Sequence, residues 1–271
     1  MGTSSRYKMP TGGNWTPLKN EATDFVQGTG GEDVTQANLV TDFIRTIGGF
    51  KGLSRGVGGS APAGHGSSGS GSGAKSGGSK DGGGGGRSVS AAVGTARNFG
   101  SFLSRVQKAG LEEALKERGL EKLVGKPASE VADALLDEFA GPGSTLDNAL
   151  AREALADLRD ELLKDAQTFE DVKKALEESL DSLGLFAILA DFFGLYVFKM
   201  FCRNFYEDWV KKVGDSRAAQ TLKDMKNYIV SSLRAKFAGR KLDGADWKGE
   251  EGSQIAEQVL KETIEVFGVT G

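Results

Sequence analysis

In 271 residues the chain carries one histidine, His65, and one cysteine, Cys202. These are the side chains on which most acyl-transfer nucleophiles and zinc sites are built. A Ser/His/Asp or Cys/His centre needs a histidine held rigidly beside its nucleophile, and a zinc site needs several such ligands together. His65 lies in a glycine–serine run, Gly52 to Arg87, that offers no rigid pocket. Cys202 sits in Phe201-Cys202-Arg203-Asn204-Phe205-Tyr206-Glu207-Asp208-Trp209 with no histidine nearby and reads as a packing residue. Neither a catalytic residue nor a metal-ligand set is assigned. The acidic groups Glu112/Glu113, Glu177/Glu178 and Asp157/Asp160/Glu161 alternate with lysine and arginine, which is the pattern of solvated helix faces. Gly119 to Pro127 has five residues between its glycines where a phosphate loop has four. It also ends in proline where a hydroxyl is required, so it is not a nucleotide site.

One backbone group has better chemistry. Removal of Met1 before the small Gly2 leaves a free α-amine. Such an amine titrates near pH 7.7–8, so a useful fraction is neutral and nucleophilic at physiological pH. Gly2 has no side chain to obstruct entry into another protein's pocket, and Thr3, Ser4 and Ser5 are small, with Arg6 after them. Myristoylation asks for Ser or Thr at the sixth position, which Arg6 occupies. The expected role of this chain is to be bound, presented or modified rather than to do chemistry.

The elements that would carry that start fall into four parts. Residues 1–32 are polar and glycine-rich, with Trp15, Leu18, Phe25 and Val26 as apolar anchors. Pro10 and Pro17 suggest an extended tail. Residues 33–49 form a short amphipathic helix. Leu39, Val40, Phe43, Ile44 and Ile47 share one face, and Gly48-Gly49 ends it. So short a helix cannot bury its stripe alone, so it is expected to dock on the main domain or on a partner. Residues 50–87 are a Gly/Ser-rich linker expected to be disordered, spanning about 35 Å root-mean-square. Residues 88–271 are expected to be all-helical, with helices near 89–109, 111–118, 128–140, 145–164, 169–182, 184–213, 216–237 and 252–267. Ser129 is a candidate cap, Thr168 with Asp171 resembles a capping box, and Gly141, Gly214 and Gly239 mark ends. Leu146, Leu150, Leu155, Leu158 and Leu162 form a stripe with Asp147, Arg152, Asp157, Arg159 and Glu161 outside it.

The 183–201 segment is apolar nearly all round and long enough to span a bilayer. Asp191 near its middle argues instead for a buried core helix in which the acid finds a partner. The fold class is therefore all-α, a helical bundle around that central apolar helix, with a long disordered Gly/Ser-rich N-terminal region. A net charge of −3 gives no nucleic-acid signal, a lone cysteine fits a reducing compartment, and a cytoplasmic location is expected.

Three stretches together resemble the QatB family of the Qat anti-phage defence systems. They are Met1 to Ser5; Leu123 to Pro127 running on to Gly143 through Arg152; and Asp191-Phe192-Phe193 through Tyr206, with Arg217-Ala218-Ala219 and Lys223-Asp224 downstream. The resemblance implies partners: a QueC-like enzyme, an ATPase and a TatD-like nuclease. A QueC-like enzyme activates a deazaguanine carboxylate with ATP and normally delivers ammonia to it, and a peptide amine in ammonia's place gives an amide. It follows that Gly2 would be the acceptor of a covalent 7-deazaguanine, that Thr3, Ser4, Ser5 and Arg6 would thread into the partner, and that no bound cofactor is needed. Two alternatives remain open: an unmodified adaptor bridging the ATPase and other subunits, and a membrane-active effector inserting residues 183–201.

Overall fold

The computed structural model describes residues 12–54, 90–141, 143, 145–240, 242, 246–247 and 249–268. Among these there are eleven α-helices, one short 3-10 turn and no strand. In chain order they are α1 (Trp15–Gln27), α2 (Gln36–Thr46), α3 (Gly49–Ser54), α4 (Ser90–Ala109), α5 (Leu111–Glu117), the 3-10 turn Glu121–Leu123, α6 (Ala128–Ala140), α7 (Leu146–Leu162), α8 (Phe169–Ser182), α9 (Leu185–Val213), α10 (Asp215–Phe237) and α11 (Gly249–Glu265). The all-α bundle read from the sequence is present, and its axis is the apolar helix α9.

Every residue of α9 from Leu185 to Phe198 is buried, Asp191 included. A helix apolar on all sides must be enclosed on all sides, and α9 packs against α1, α4, α7, α8, α10 and α11. Gly214 (φ 80°) ends α9 and opens α10, so the two helices fold back on each other. Phe186 faces Phe237, with ring centroids 4.8 Å apart. The helices approach closely at Gly194, where a Cβ would lie 2.4 Å from Leu233 Cδ1. Of the described helices, α9 alone is long and apolar enough to cross a membrane, and 89% of its most apolar window is buried inside the protein.

The front of the chain departs from expectation. Residues 15–27, read as extended tail, are the helix α1, with Leu18, Ala22 and Val26 buried. Pro17 does not oppose it, because Pro17 lies in the first turn, where a backbone N–H has no intrahelical acceptor anyway. The linker expected from residue 50 begins later, since Phe50 to Ser54 belong to α3, and Leu53 is fully buried. The rest of that linker lies outside the described residues. The front helices are not a separate element: Leu18, Phe43 and Leu53 belong to the same apolar core as α4–α11.

Smaller corrections concern ends and faces. Thr168 and Asp171 do form a capping box at α8. Ser129, however, lies inside α6, which starts at Ala128 after Pro127. Leu146, assigned to the α7 stripe, is 42% exposed at the first position of its helix, where no neighbouring helix covers it.

Candidate functional site

Gly2, Thr3, Ser4, Ser5 and Arg6 lie outside the described residues, as does His65. What the structure does describe is the platform that begins at Gly12 and holds the chain behind them. Trp15 opens α1 and meets the Phe43 ring edge-on at 6.4 Å. Thr35 starts α2 by accepting the Asn38 N–H on its hydroxyl at 3.2 Å. Leu39, Val40, Phe43 and Ile44 then turn inward and are buried, while Ile47 is half-buried against the same core. The face proposed for docking is thus filled by the chain's own body.

The receiving surface is the C-terminal half of α9. Phe43 packs edge-on against Phe201 at 5.2 Å and against Phe205 at 6.2 Å. Phe25 of α1 meets Trp209 at 6.2 Å. Phe201, Phe205 and Trp209 stack along one side of α9, with centroids 4.5 Å apart for the first pair and 6.3 Å for the second. Polar contacts close the edges. Arg217 donates to the Gln27 carbonyl at the end of α1 (3.0 Å), Lys212 donates to the Thr23 hydroxyl, and the Thr41 hydroxyl donates to the Phe267 carbonyl (2.7 Å).

Between α1 and α2 sit two carboxylates. Burial first, and then the neighbouring Asp42 with which it shares a hydrogen bond, push Glu21 from 4.5 up to about 7. Asp42 is also paired with Arg45, one turn along α2.

A second polar assembly lies in the body. Asp191 is buried at the centre of α9 and accepts from Arg234 Nε of α10 at 2.7 Å. Arg234 also reaches Glu161 (3.2 Å), Glu161 reaches Lys226 (3.1 Å), Lys226 reaches Asp157 (3.4 Å), and Asp157 reaches Lys199 (2.9 Å). The result is a ladder of alternating charge joining α7, α9 and α10. Sequence reading placed Asp157 and Glu161 on a solvated face. Glu161 is indeed exposed, whereas Asp157, one turn earlier on the same face of α7, is half-buried between Lys199 and Lys226. Asp191 has its other oxygen, Oδ1, without a partner, and burial, opposed by Arg234, raises its carboxyl from 3.8 to about 6.

Asp147 is likewise turned inward. Its Oδ2 accepts the Ala91 N–H at 2.8 Å and its Oδ1 accepts the Tyr196 hydroxyl at 2.7 Å, fixing the start of α4 where the described chain re-enters the body. Burial raises this carboxyl too. An open cleft of about 390 Å³ lies beside it, bordered by Ser90, Thr145 and Met200.

Burial pushes the Cys202 thiol up to about 12, which keeps it protonated and a poor nucleophile. Among the described residues no three His, Cys, Asp or Glu side chains converge as a metal site would require. Gly119 to Pro127 is the connection between α5 and α6, containing the 3-10 turn Glu121–Leu123, with no strand before it among the described residues.

Sequence reasoning missed α1 as the anchor, although the signal was present. Trp15, Leu18, Ala22, Phe25 and Val26 follow helical spacing, i, i+3, i+7, i+10 and i+11. It also left the partner of Asp191 unnamed. That partner, Arg234, is 43 positions away and becomes visible only once α9 and α10 pair.

A search of curated proteins and a search of solved structures each returned no match. A protein-family model does match: QatB, described as Qat anti-phage system associated protein QatB, over residues 77–267. That span covers well over half of the chain and takes in all of α4 to α11. The chain therefore belongs to the QatB family and is a component of the Qat anti-phage defence system.

Proposed function

We propose that the chain is a non-enzymatic scaffold and protein substrate of that system, presenting the amine of Gly2 to a QueC-like partner. In this reading the partner activates a 7-deazaguanine carboxylate with ATP. The Gly2 nitrogen attacks the activated carbonyl carbon, the new C–N bond forms as the adenylate leaves, and the amine gives up a proton. The product is an amide at Gly2, with no resident cofactor on this chain. Thr3, Ser4, Ser5 and Arg6 follow the amine into the partner's site. The system's ATPase and TatD-like nuclease are the further partners, and the setting is the cytoplasm.

The observation that carries this reading is the anchor. Only twelve residues separate Gly2 from Trp15, and Trp15 is packed on a platform fixed to the body. The thirteen Cα–Cα steps between them span at most about 45 Å, long enough to enter a docked enzyme and short enough to keep the amine near it. Family membership supplies the second support, and the raised thiol of Cys202 is in keeping with a chain that does no nucleophilic chemistry of its own.

Deleting residues 2–5 tests the proposal. Defence is expected to fail while the complex still assembles. Full defence after the deletion would favour the unmodified adaptor.

A further inference from the structure

We infer that the cleft beside Asp147 is a docking site for a lysine side chain of a partner protein. The lysine stem lies along Leu146, Leu150 and Met200, and its ammonium meets the Asp147 carboxylate.

The cleft forms where the first turns of α4 and α7 meet α9. Ser90 borders it from α4, Leu146, Asp147 and Leu150 from α7, and Tyr196 and Met200 from α9. Its volume of about 390 Å³ leaves room for a long side chain. The walls are mostly apolar, and Leu146 stands exposed at the edge. An apolar wall that carries one acid suits a side chain that is apolar along its length and cationic at its tip.

The charge balance at that acid decides the class of occupant. Three other acids drawn into the helical body each meet a cation: Asp157 meets Lys199 and Lys226, Asp191 meets Arg234, and Glu262 meets Arg240. Asp147 is half-buried and has no ion pair among the described residues. Its contacts are the Tyr196 hydroxyl and the N–H groups of Ala91 and Ala92. Burial raises its carboxyl above the usual 3.8 by more than these donors lower it. The carboxylate therefore carries a desolvation cost that no cation offsets. A carboxylate has about four acceptor positions, so these donors leave room for another.

The same contacts favour lysine over arginine. A guanidinium binds a carboxylate best through two parallel N–H bonds, one to each oxygen. Tyr196 already occupies one oxygen of Asp147 and Ala91 the other. A compact ammonium making a single contact suits what remains. As a component of the Qat system the chain has protein partners within it, and the cleft lies in the family-matched region. The inference does not depend on any modification of Gly2.

Methionine-methyl NMR on the full chain tests the site. Met200 lines the cleft, and Met225, fully buried in α10, is the internal reference. Met200→Leu assigns the cleft resonance. Titration with Nα-acetyl-lysine methylamide is expected to shift Met200 and not Met225, with a Kd of about 10 mM or tighter. The norleucine analogue keeps the stem and lacks the charge, and should bind at least about tenfold more weakly. The arginine analogue should bind about threefold more weakly than lysine. Asp147→Asn should weaken lysine binding at least about tenfold. That change also touches the start of α4, so Leu146→Lys is the second variant. It sets a cation at the edge of the cleft, leaves the Ala91 and Tyr196 hydrogen bonds to Asp147 in place, and should weaken binding about fivefold. Leu146→Lys should also lower recovery of at least one other Qat protein with this chain about tenfold, whereas deletion of residues 2–5 should not. No Met200 shift at about 50 mM of the lysine compound would overturn the inference. So would equal binding of the norleucine or arginine compound, or full recovery of the complex with Leu146→Lys. Failure of Gly2 modification with these results intact would contradict the proposed function alone.

Discussion

The two halves of α9 are buried by different means. The N-terminal half, Leu185 to Phe198, is enclosed by helices of the family-matched body, and its one acid is neutralised by Arg234. The C-terminal half turns Phe201, Phe205 and Trp209 toward α1 and α2, which come from before the family-matched region. One helix therefore serves two purposes. Its first half is the fixed axis of the bundle, and its second half is a seat for the front of the chain. The seat ties the segment carrying Gly2 to the body, and the ladder of charges links the axis to α7 and α10.

The contrast breaks most visibly at Arg234. Arg234→Ala leaves Asp191 buried and unpaired, which is expected to destabilise the body by about 3 kcal/mol, toward the lower end for a broken buried pair because Arg234 itself reaches solvent. Urea denaturation measures the loss. Asp191→Asn should cost far less, since Arg234 keeps Glu161. It should also flatten the pH profile. The Asp191 carboxyl is raised from 3.8 to about 6, so its contribution to stability is fully present below pH 4 and is lost as pH rises through 6. The wild-type chain should lose stability across that window and the Asn variant should not.

Gly194→Ala probes the axis alone. Its Cβ would press on Leu233, which is fully buried, and a cost of about 1–2 kcal/mol is expected once the better helix propensity of alanine is allowed for. The change should appear in global unfolding, with exchange in α1 and α2 rising no more than in the body. The smallest effect belongs to the seat. Glu21 is raised from 4.5 to about 7, so its contribution is full below pH 4.5 and lost as pH rises through 7. Exchange within α1 and α2 should quicken between pH 6 and 8 beyond the intrinsic pH effect. Glu21→Gln should remove that excess.

Much of the axis was legible before any coordinates. A segment apolar on every face can only be central, and Asp191 within it announced a buried partner. The capping residues Thr168 and Asp171 act through local geometry and were readable for that reason. The seat was less legible because its parts compete. Pro17 suggests extended backbone, yet in a first turn it is harmless, and the stripe of Trp15, Leu18, Ala22, Phe25 and Val26 prevails once α9 offers a surface. Asp157 was misplaced for a related reason. Charged residues on an amphipathic helix default to water, as Glu161 does, and only the approach of Lys199 and Lys226 from other helices half-buries Asp157. Leu146 fails in the opposite sense, a stripe residue left uncovered at a helix end. The acceptor Gly2 rests on sequence chemistry and family membership alone, since it lies ahead of the described residues.

Intact mass of the chain, produced with and without an active QueC-like partner, measures the proposed acceptor most directly. The expected result is loss of Met1 in both samples and, only with the partner, the added mass of one deazaguanine acyl group, mapped to Gly2 by fragmentation. An unchanged mass in the presence of a partner shown to be active would contradict the proposal.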